Sequence, residues 1–168
     1  MDNYKRIKDN HERYLLIPRT LVFVRYKGKY IFIEKDFNNS FIDGSINGVG
    51  GHMEMGEDPF SSAKREVFEE TGLSLTNLEL IAILFSDTTK NPGIIVFIFR
   101  AESMGEKIIE SEEGKIIISK KEEIISKKGL MKDIPFLMDI CEKHKENSRP
   151  LILMYQCDNN GDLSIVSI

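Results

Sequence analysis

The apolar and polar positions alternate over most of the chain, with a few stretches of longer period between them. "TLVFVRYKGKYIFIEK" (Thr20 to Lys35) reads as two strands joined at Lys27-Gly28, the pattern of a β-hairpin. "FNNSFIDGS" is rich in turn formers and reads as a loop. "INGVGG" carries too many glycines for a strand interior; it points to a bulged strand end or a closely approached backbone. "LELIAILFS" and "GIIVFIFRAES" are rich in β-branched and aromatic residues and read as strands, with "DTTKNP" as the loop between them. "GKIIIS" is a further strand after the acidic turn "ESEEG". The end of the chain, "LILMYQCDNNGDLSIVSI", reads as a closing hairpin with Asn159, Asn160 and Gly161 at its turn.

Two segments break this short period. Asp58 suits an N-cap, Pro59 the first helical position and Gly72 the C-terminal cap, so a helix is expected from Pro59 to Thr71. Phe60, Ala63 and Val67 form its core-facing stripe. "LMKDIPFLMDICEKHKE" also has helical periodicity, with a start near Pro135. Strands dominate and helices are interspersed, so a mixed α/β domain is expected rather than a doubly wound sheet.

Composition adds limits. With 168 residues the chain fits one domain able to bury a core, read as a polar segment over 1–13 and a single domain over 14–168. The formal net charge of −4 disfavours a nucleic-acid polymer as partner but not a small anion arriving with a metal ion. No apolar run has the length of a membrane span, and "MDNYKRIKDNHERY" lacks the apolar stretch of a secretory signal. Cys141 and Cys157 form no close-spaced metal motif and read as two reduced thiols. These features together imply a cytoplasmic protein.

The helix poses the chemical question. Glu66, Glu69 and Glu70 stand at i, i+3 and i+4 and share one face, where like charges repel. Only Arg65 is well placed to pair with Glu69; Lys64 lies further back. A glycine-rich turn comes directly before the helix. Several carboxylates aimed at one point, with a backbone carbonyl in reach, suit a hard divalent cation such as Mg²⁺ or Mn²⁺.

These residues also carry a family likeness. Gly51, then Glu57, then Arg65-Glu66-Val67, Glu69-Glu70 and Gly72-Leu73, at their fixed spacings, match the signature of the Nudix hydrolases. The resemblance implies an α/β/α sandwich with a mixed sheet and, here, a C-terminal β-hairpin. It implies metal-dependent hydrolysis of a pyrophosphate bond in a nucleoside diphosphate derivative. By that resemblance the Gly51 carbonyl, Glu69 and Glu70 are metal ligands, and Glu66 orients or deprotonates the attacking water while touching a metal. Arg65 holds the glutamates in place; Glu57 is a structural or metal-shell residue; Gly72 ends the helix. A loop carboxylate outside the signature completes the metal shell in many members. Glu113, then Glu112, is the candidate for it in this chain.

"GGHMEMGED" is similar to the MutT-type stretch, which implies an oxidised purine nucleoside triphosphate such as 8-oxo-dGTP as substrate, giving the monophosphate and pyrophosphate. Asn47, in "NGVGG", and Asp133, in "LMKDIPFL", are the candidate base contacts by this resemblance. The plainer readings are a turn-stabilising Asn47 and a helix-capping Asp133. His52 is either a phosphate contact or simply exposed, and His11 and His144 read as surface residues. Alternative functions are an ADP-ribose or nucleotide-sugar pyrophosphatase and a non-catalytic nucleotide-binding domain. Partners are limited to a small nucleotide, with no nucleic-acid polymer and no membrane, in a monomer or homodimer.

Overall fold

The computed structural model describes residues 14–35, 44–86, 91–103, 107–109, 114–157 and 163–167. In chain order the elements are β1 (Leu16–Tyr26), β2 (Lys29–Lys35), β3 (Ile46–Asn47), α1 (Pro59–Thr71), β4 (Leu75–Ser86), β5 (Gly93–Ser103) and β6 (Gly114–Ser119). They are followed by α2 (Lys121–Ile124), α3 (Ile134–Lys143), β7 (Leu151–Cys157) and β8 (Leu163–Ser167). The first helix and the strands β5 and β6 fall where the sequence pattern puts them. Lys27 and Gly28 both have positive φ, 49° and 79°, the backbone that a two-residue hairpin turn requires. β4 starts three residues before "LELIAILFS", because a register shift between Thr76 and Glu79, with Asn77 at φ 52°, lets the strand continue past an irregularity. The β7–β8 pairing is antiparallel as expected; Asn159, Asn160 and Gly161 lie outside the described residues.

The strands make one mixed sheet in the order β3-β2-β1-β5-β4-β7-β8, with β6 on β2. β1 runs parallel to β5 and β4 parallel to β7; the remaining pairs are antiparallel. Hairpin turns cannot join parallel neighbours, so the intervening segments must cross the sheet. α1 packs on one face with Val22, Val24, Ile31, Ile33 and Phe99. α2 and α3 pack on the other with Leu21, Phe23, Phe32, Ile98 and Leu153. This is the expected mixed α/β/α layering.

One detail of the sheet positions the site. β2 pairs with β1 only next to the turn, at Tyr30 and Lys29, and then pairs with β3. The edge of β1 that β2 leaves is taken by the glycine-rich segment. Val22 pairs with Val49 and Arg19 with His52, through hydrogen bonds from Val22 N to Val49 O and from Thr20 N to Gly51 O. Residues 46–53 thus form a wedge between diverging strands, and their glycines are a condition of the fit. A Cβ on Gly50, at φ 145°, would lie 2.3 Å from the Thr20 carbonyl oxygen.

Two burial expectations fail, one on each face of the sheet. Phe60 is 43% exposed rather than core, although its ring meets Phe99 edge-on at 5.0 Å. The imidazole of His144 is only 4% exposed, tucked at the end of α3 beside Glu79, and is no surface residue. Its burial follows from the turn after α3, where Arg100 donates to the carbonyls of Cys141 and His144 and draws that backbone onto the sheet. Cys141 is buried and free, and burial pushes its thiol up to about 12.

Candidate functional site

Asp58 starts α1 by accepting from the backbone N–H groups of Phe60 and Ser61, at 2.8 and 3.1 Å. Gly72 ends it in the left-handed conformation, its N–H donating to Phe68 O. The helix between these caps lies against the glycine wedge, and the wedge has no space for a side chain there. A Cβ on Gly51 would meet the Glu66 carboxylate oxygens at 2.5 and 2.6 Å. Glu66 is 7% exposed and Glu70 1%. Two of the three glutamates of the acidic face are therefore buried between the helix and the wedge. Glu69 remains half exposed.

Buried carboxylates need partners, and the structure supplies them. Arg65 grips Glu57 through both oxygens, at 2.7 and 3.0 Å. Its Nη1 donates to Glu66 at 3.0 Å and to Glu69 at 2.9 Å, and its Nη2 to the His52 carbonyl at 3.0 Å. Such charge-assisted bonds from a planar fork fix geometry as well as charge. Arg65 holds Glu57 down to about 2, and Glu57 in turn is the main cause that raises Arg65. Glu70 accepts from the Gly50 N–H at 3.0 Å and from Lys35 Nζ at 3.3 Å. Lys35, at the end of β2, is the site residue that sequence reasoning missed. It lies 35 positions from Glu70, and only the divergence of β2 from β1 brings it there.

Something positive does sit among the glutamates, and it belongs to the chain itself. Glu57, Glu66, Glu69 and Glu70 carry four negative charges against two positive ones from Arg65 and Lys35, leaving a formal −2. Among the described residues no three carboxylates converge into a ready cage. The donor chemistry nevertheless suits a hard dication: three carboxylates on one helix, a residual double negative charge, and a Gly51 carbonyl whose bond from Thr20 uses one of two lone pairs. Thr20 Oγ1, buried at the same wedge, has no hydrogen-bond partner among the described residues.

The remaining candidates scatter. His52 is exposed; partial burial and then Arg19 hold its imidazole below the usual range. Asn47 Oδ1 accepts from the N–H of Gly48 at 2.8 Å, the turn-stabilising contact. Its register partner is Ile33, which belongs to the face that carries α1. Asp133 stands at the N-cap of α3 but makes no side-chain cap bond, contrary to the simpler expectation. It has αR backbone angles, and its carboxylate instead accepts from the Tyr155 hydroxyl, whose ring packs in the core of the opposite face. Asn47 and Asp133 therefore serve different layers of the sheet. Glu112 and Glu113 lie outside the described residues. A cavity of about 580 Å³ opens elsewhere, at the Arg25 end of β1. Its Arg100 and Lys121 are already paired, with Glu79 and with Asp139 and Glu142.

Fold and site define a known class: the NUDIX domain family matches residues 15–126, and the chain belongs to that family. Its hydrolases generally use a divalent metal. Among solved structures, the chain is similar to the MutT protein from Bacillus halodurans, with a TM-score of 0.70 and 25% identity over 90% of this chain and 97% of that one. It shares its fold with the MutT protein from Methanosarcina mazei Go1, TM-score 0.65 at 19% identity, over 80% of this chain and 99% of that one. Among relatives, it is 35% identical over 95 residues to the oxidized purine nucleoside triphosphate hydrolase of Danio rerio, which is 56% of this chain and 60% of that protein. The Mus musculus protein of the same description is 37% identical over 71 residues, 42% of this chain and 46% of that one. The matched segments thus span 60% or less of these relatives' lengths. Among the described residues no helix is long and apolar enough to cross a membrane.

Proposed function

We propose that the chain is a nucleoside triphosphate pyrophosphohydrolase acting on purine nucleotides, with oxidised ones such as 8-oxo-dGTP as the preferred class. The observation that carries this reading is the Glu66 carboxylate, buried on α1 against Gly51 and held by Arg65. A mere binding domain gains nothing from burying a glutamate cluster at a cost in desolvation. The oxidised purine specificity draws its support from the two relatives of that description.

In this reading Glu66, Glu69, Glu70 and the Gly51 carbonyl hold the metal, Mg²⁺ or Mn²⁺. Bound there, it supplies charge neutralisation of the phosphates and a lowered pKa for water. Glu66 accepts the proton of the attacking water, or orients it. The water oxygen bonds to phosphorus, the bridging P–O bond breaks, and pyrophosphate leaves from the nucleoside monophosphate. Arg65 keeps Glu66 and Glu69 aligned. Lys35, next to Glu70, offers an ammonium to the substrate phosphates. Gly72 and Glu57 hold the helix and its entry loop, His52 lies at the phosphate end, and Asn47 and Asp133, which face different layers of the sheet, are alternative base contacts to be tested separately. Glu113 remains the candidate for a further carboxylate.

The test is a nucleotide panel with Mg²⁺ and with Mn²⁺, read by product identity. Pyrophosphate together with a nucleoside monophosphate, abolished by chelator, is the expected result. AMP with a sugar phosphate, activity in chelator, or no turnover on any nucleotide each overturns it.

A further inference from the structure

The two cations of the acidic cluster are built differently. Arg65 is locked in place: Nε and Nη2 hold Glu57 at 2.7 and 3.0 Å, and Nη2 also reaches the His52 carbonyl at 3.0 Å. Lys35 stands where the end of β2 meets the start of β6, with Gly114 as its register partner. Its backbone is fixed, the N–H donating to the Ser45 carbonyl at 3.0 Å and the carbonyl accepting from the Gly44 N–H at 3.1 Å. Its side chain is 35% exposed, and its ammonium lies 3.3 Å from Glu70 Oε1, long for a charge-assisted bond. Glu70 is the rigid member of this pair. Its carboxylate is 1% exposed, and Oε2 is held by the Gly50 N–H at 3.0 Å.

We propose that Lys35 is an exchangeable counter-ion of Glu70, and that its ammonium and a divalent metal occupy Oε1 in turn. The inference rests on the reading of Glu70 as a metal ligand and adds how that ligand is kept neutralised before metal arrives. A carboxylate this buried needs a positive partner at all times. Mg²⁺ stands about 2.1 Å from a carboxylate oxygen, so on Oε1 it would lie within about 5.5 Å of the ammonium, where little water screens the repulsion. The lysine gives way, because it has a flexible four-carbon stem and a path to solvent. Arg65, pinned to Glu57, stays. By linkage, whatever draws the ammonium off Glu70 strengthens metal binding there, and phosphate groups arriving with a nucleotide do so.

The test is a Mn²⁺ titration of the full chain without nucleotide, read by the electron paramagnetic resonance of free Mn²⁺. Lys35→Met should bind Mn²⁺ about fivefold more tightly or better than the parent, whereas a purely structural lysine would give weaker or unchanged binding. Adding Glu70→Gln to that variant should cancel the gain. A second measurement needs no substitution: acetylation of the parent, mapped by peptide mass spectrometry, in chelator and then in Mg²⁺. Labelling of Lys35 should rise about threefold or more with Mg²⁺, while that of Lys64, exposed on α1, stays level. Equal or weaker Mn²⁺ binding in folded Lys35→Met overturns the proposal, and so does unchanged labelling of Lys35. With Mg²⁺-dependent turnover intact, either result removes only this inference and leaves the proposed reaction standing. Parental Mn²⁺ binding that is absent, or indifferent to Glu70→Gln, removes Glu70 as a ligand and overturns both.

Discussion

The helices α1 and α3 begin with nearly the same signal, an aspartate followed by a proline in the first turn, and use it differently. Asp58 has extended backbone angles, φ −92° and ψ 164°, and its carboxylate caps the helix. Asp133 has φ −84° and ψ −21°, does not cap, and binds Tyr155 across 22 residues. The proline position differs as well: directly after Asp58, but one residue later after Asp133, where Ile134 is buried and holds the first turn against the core. α3 is anchored by its own buried Leu137, Met138 and Cys141 and can spare its aspartate. α1 buries Glu66 and Glu70 with only a narrow apolar stripe, and it relies on caps and ion pairs. A helix start that looks alike in sequence thus answers to whatever holds the rest of the helix.

The largest expected effect separates chemistry from stability on α1. Glu66→Gln should lower kcat by roughly 10²-fold or more while far-UV circular dichroism stays unchanged. Near-normal turnover would move the base to another carboxylate, and Glu113 would be substituted next. On α3, Asp133→Ala should act on selectivity. The loss of one polar contact costs on the order of 1–3 kcal/mol in kcat/KM for 8-oxo-dGTP relative to dGTP, with Asn47→Ala as its companion. If both variants keep the parental ratio, Asp133 serves only to anchor Tyr155. The contrast in capping is smaller: Asp58→Ala should lower Tm by a few degrees, and Asp133→Ala should leave the helix content of α3 intact by circular dichroism. Equal helix loss in the two would erase the distinction.

The smallest effect is in acid. Glu57 falls from the ordinary 4.5 to about 2 in the folded chain, chiefly through Arg65. A depressed carboxylate contributes stability above its unfolded pKa and loses it as pH falls through the folded one. Denaturant titrations should therefore show a loss of stability between pH 4.5 and about 2 that is shallower in Glu57→Gln. Parallel profiles would show that the Arg65 grip on Glu57 adds nothing to folding.

Much of α1 was legible because its determinants are local. Asp58, Pro59 and Gly72 set both ends within the segment itself, and the glutamate spacing follows from helical geometry. The hairpin at Lys27-Gly28 is legible for the same reason. The burial of Glu66 and Glu70 was not, because it depends on a wedge of glycines arriving from the edge of another strand. Lys35 at Glu70, Tyr155 at Asp133 and the buried His144 are likewise contacts between distant segments. Parallel pairings such as β1 with β5 leave no turn to read. Phe60 misled because its periodicity is that of a core residue, while the sheet beneath offers only the edge of Phe99.

The wedge has a consequence for anyone wishing to graft this chemistry onto another scaffold. The 23 contiguous residues from Gly51 to Leu73 look like a portable cassette, yet they do not carry their own support. The Gly51 carbonyl is tied to Thr20 N, Met53 N to Pro18 O, and Glu70 to Lys35. A transplant would need β1 with its vacated edge and the end of β2 as well. Without that open seam between two strands, the loop has no floor to lie on and the glutamates no wall to lean against.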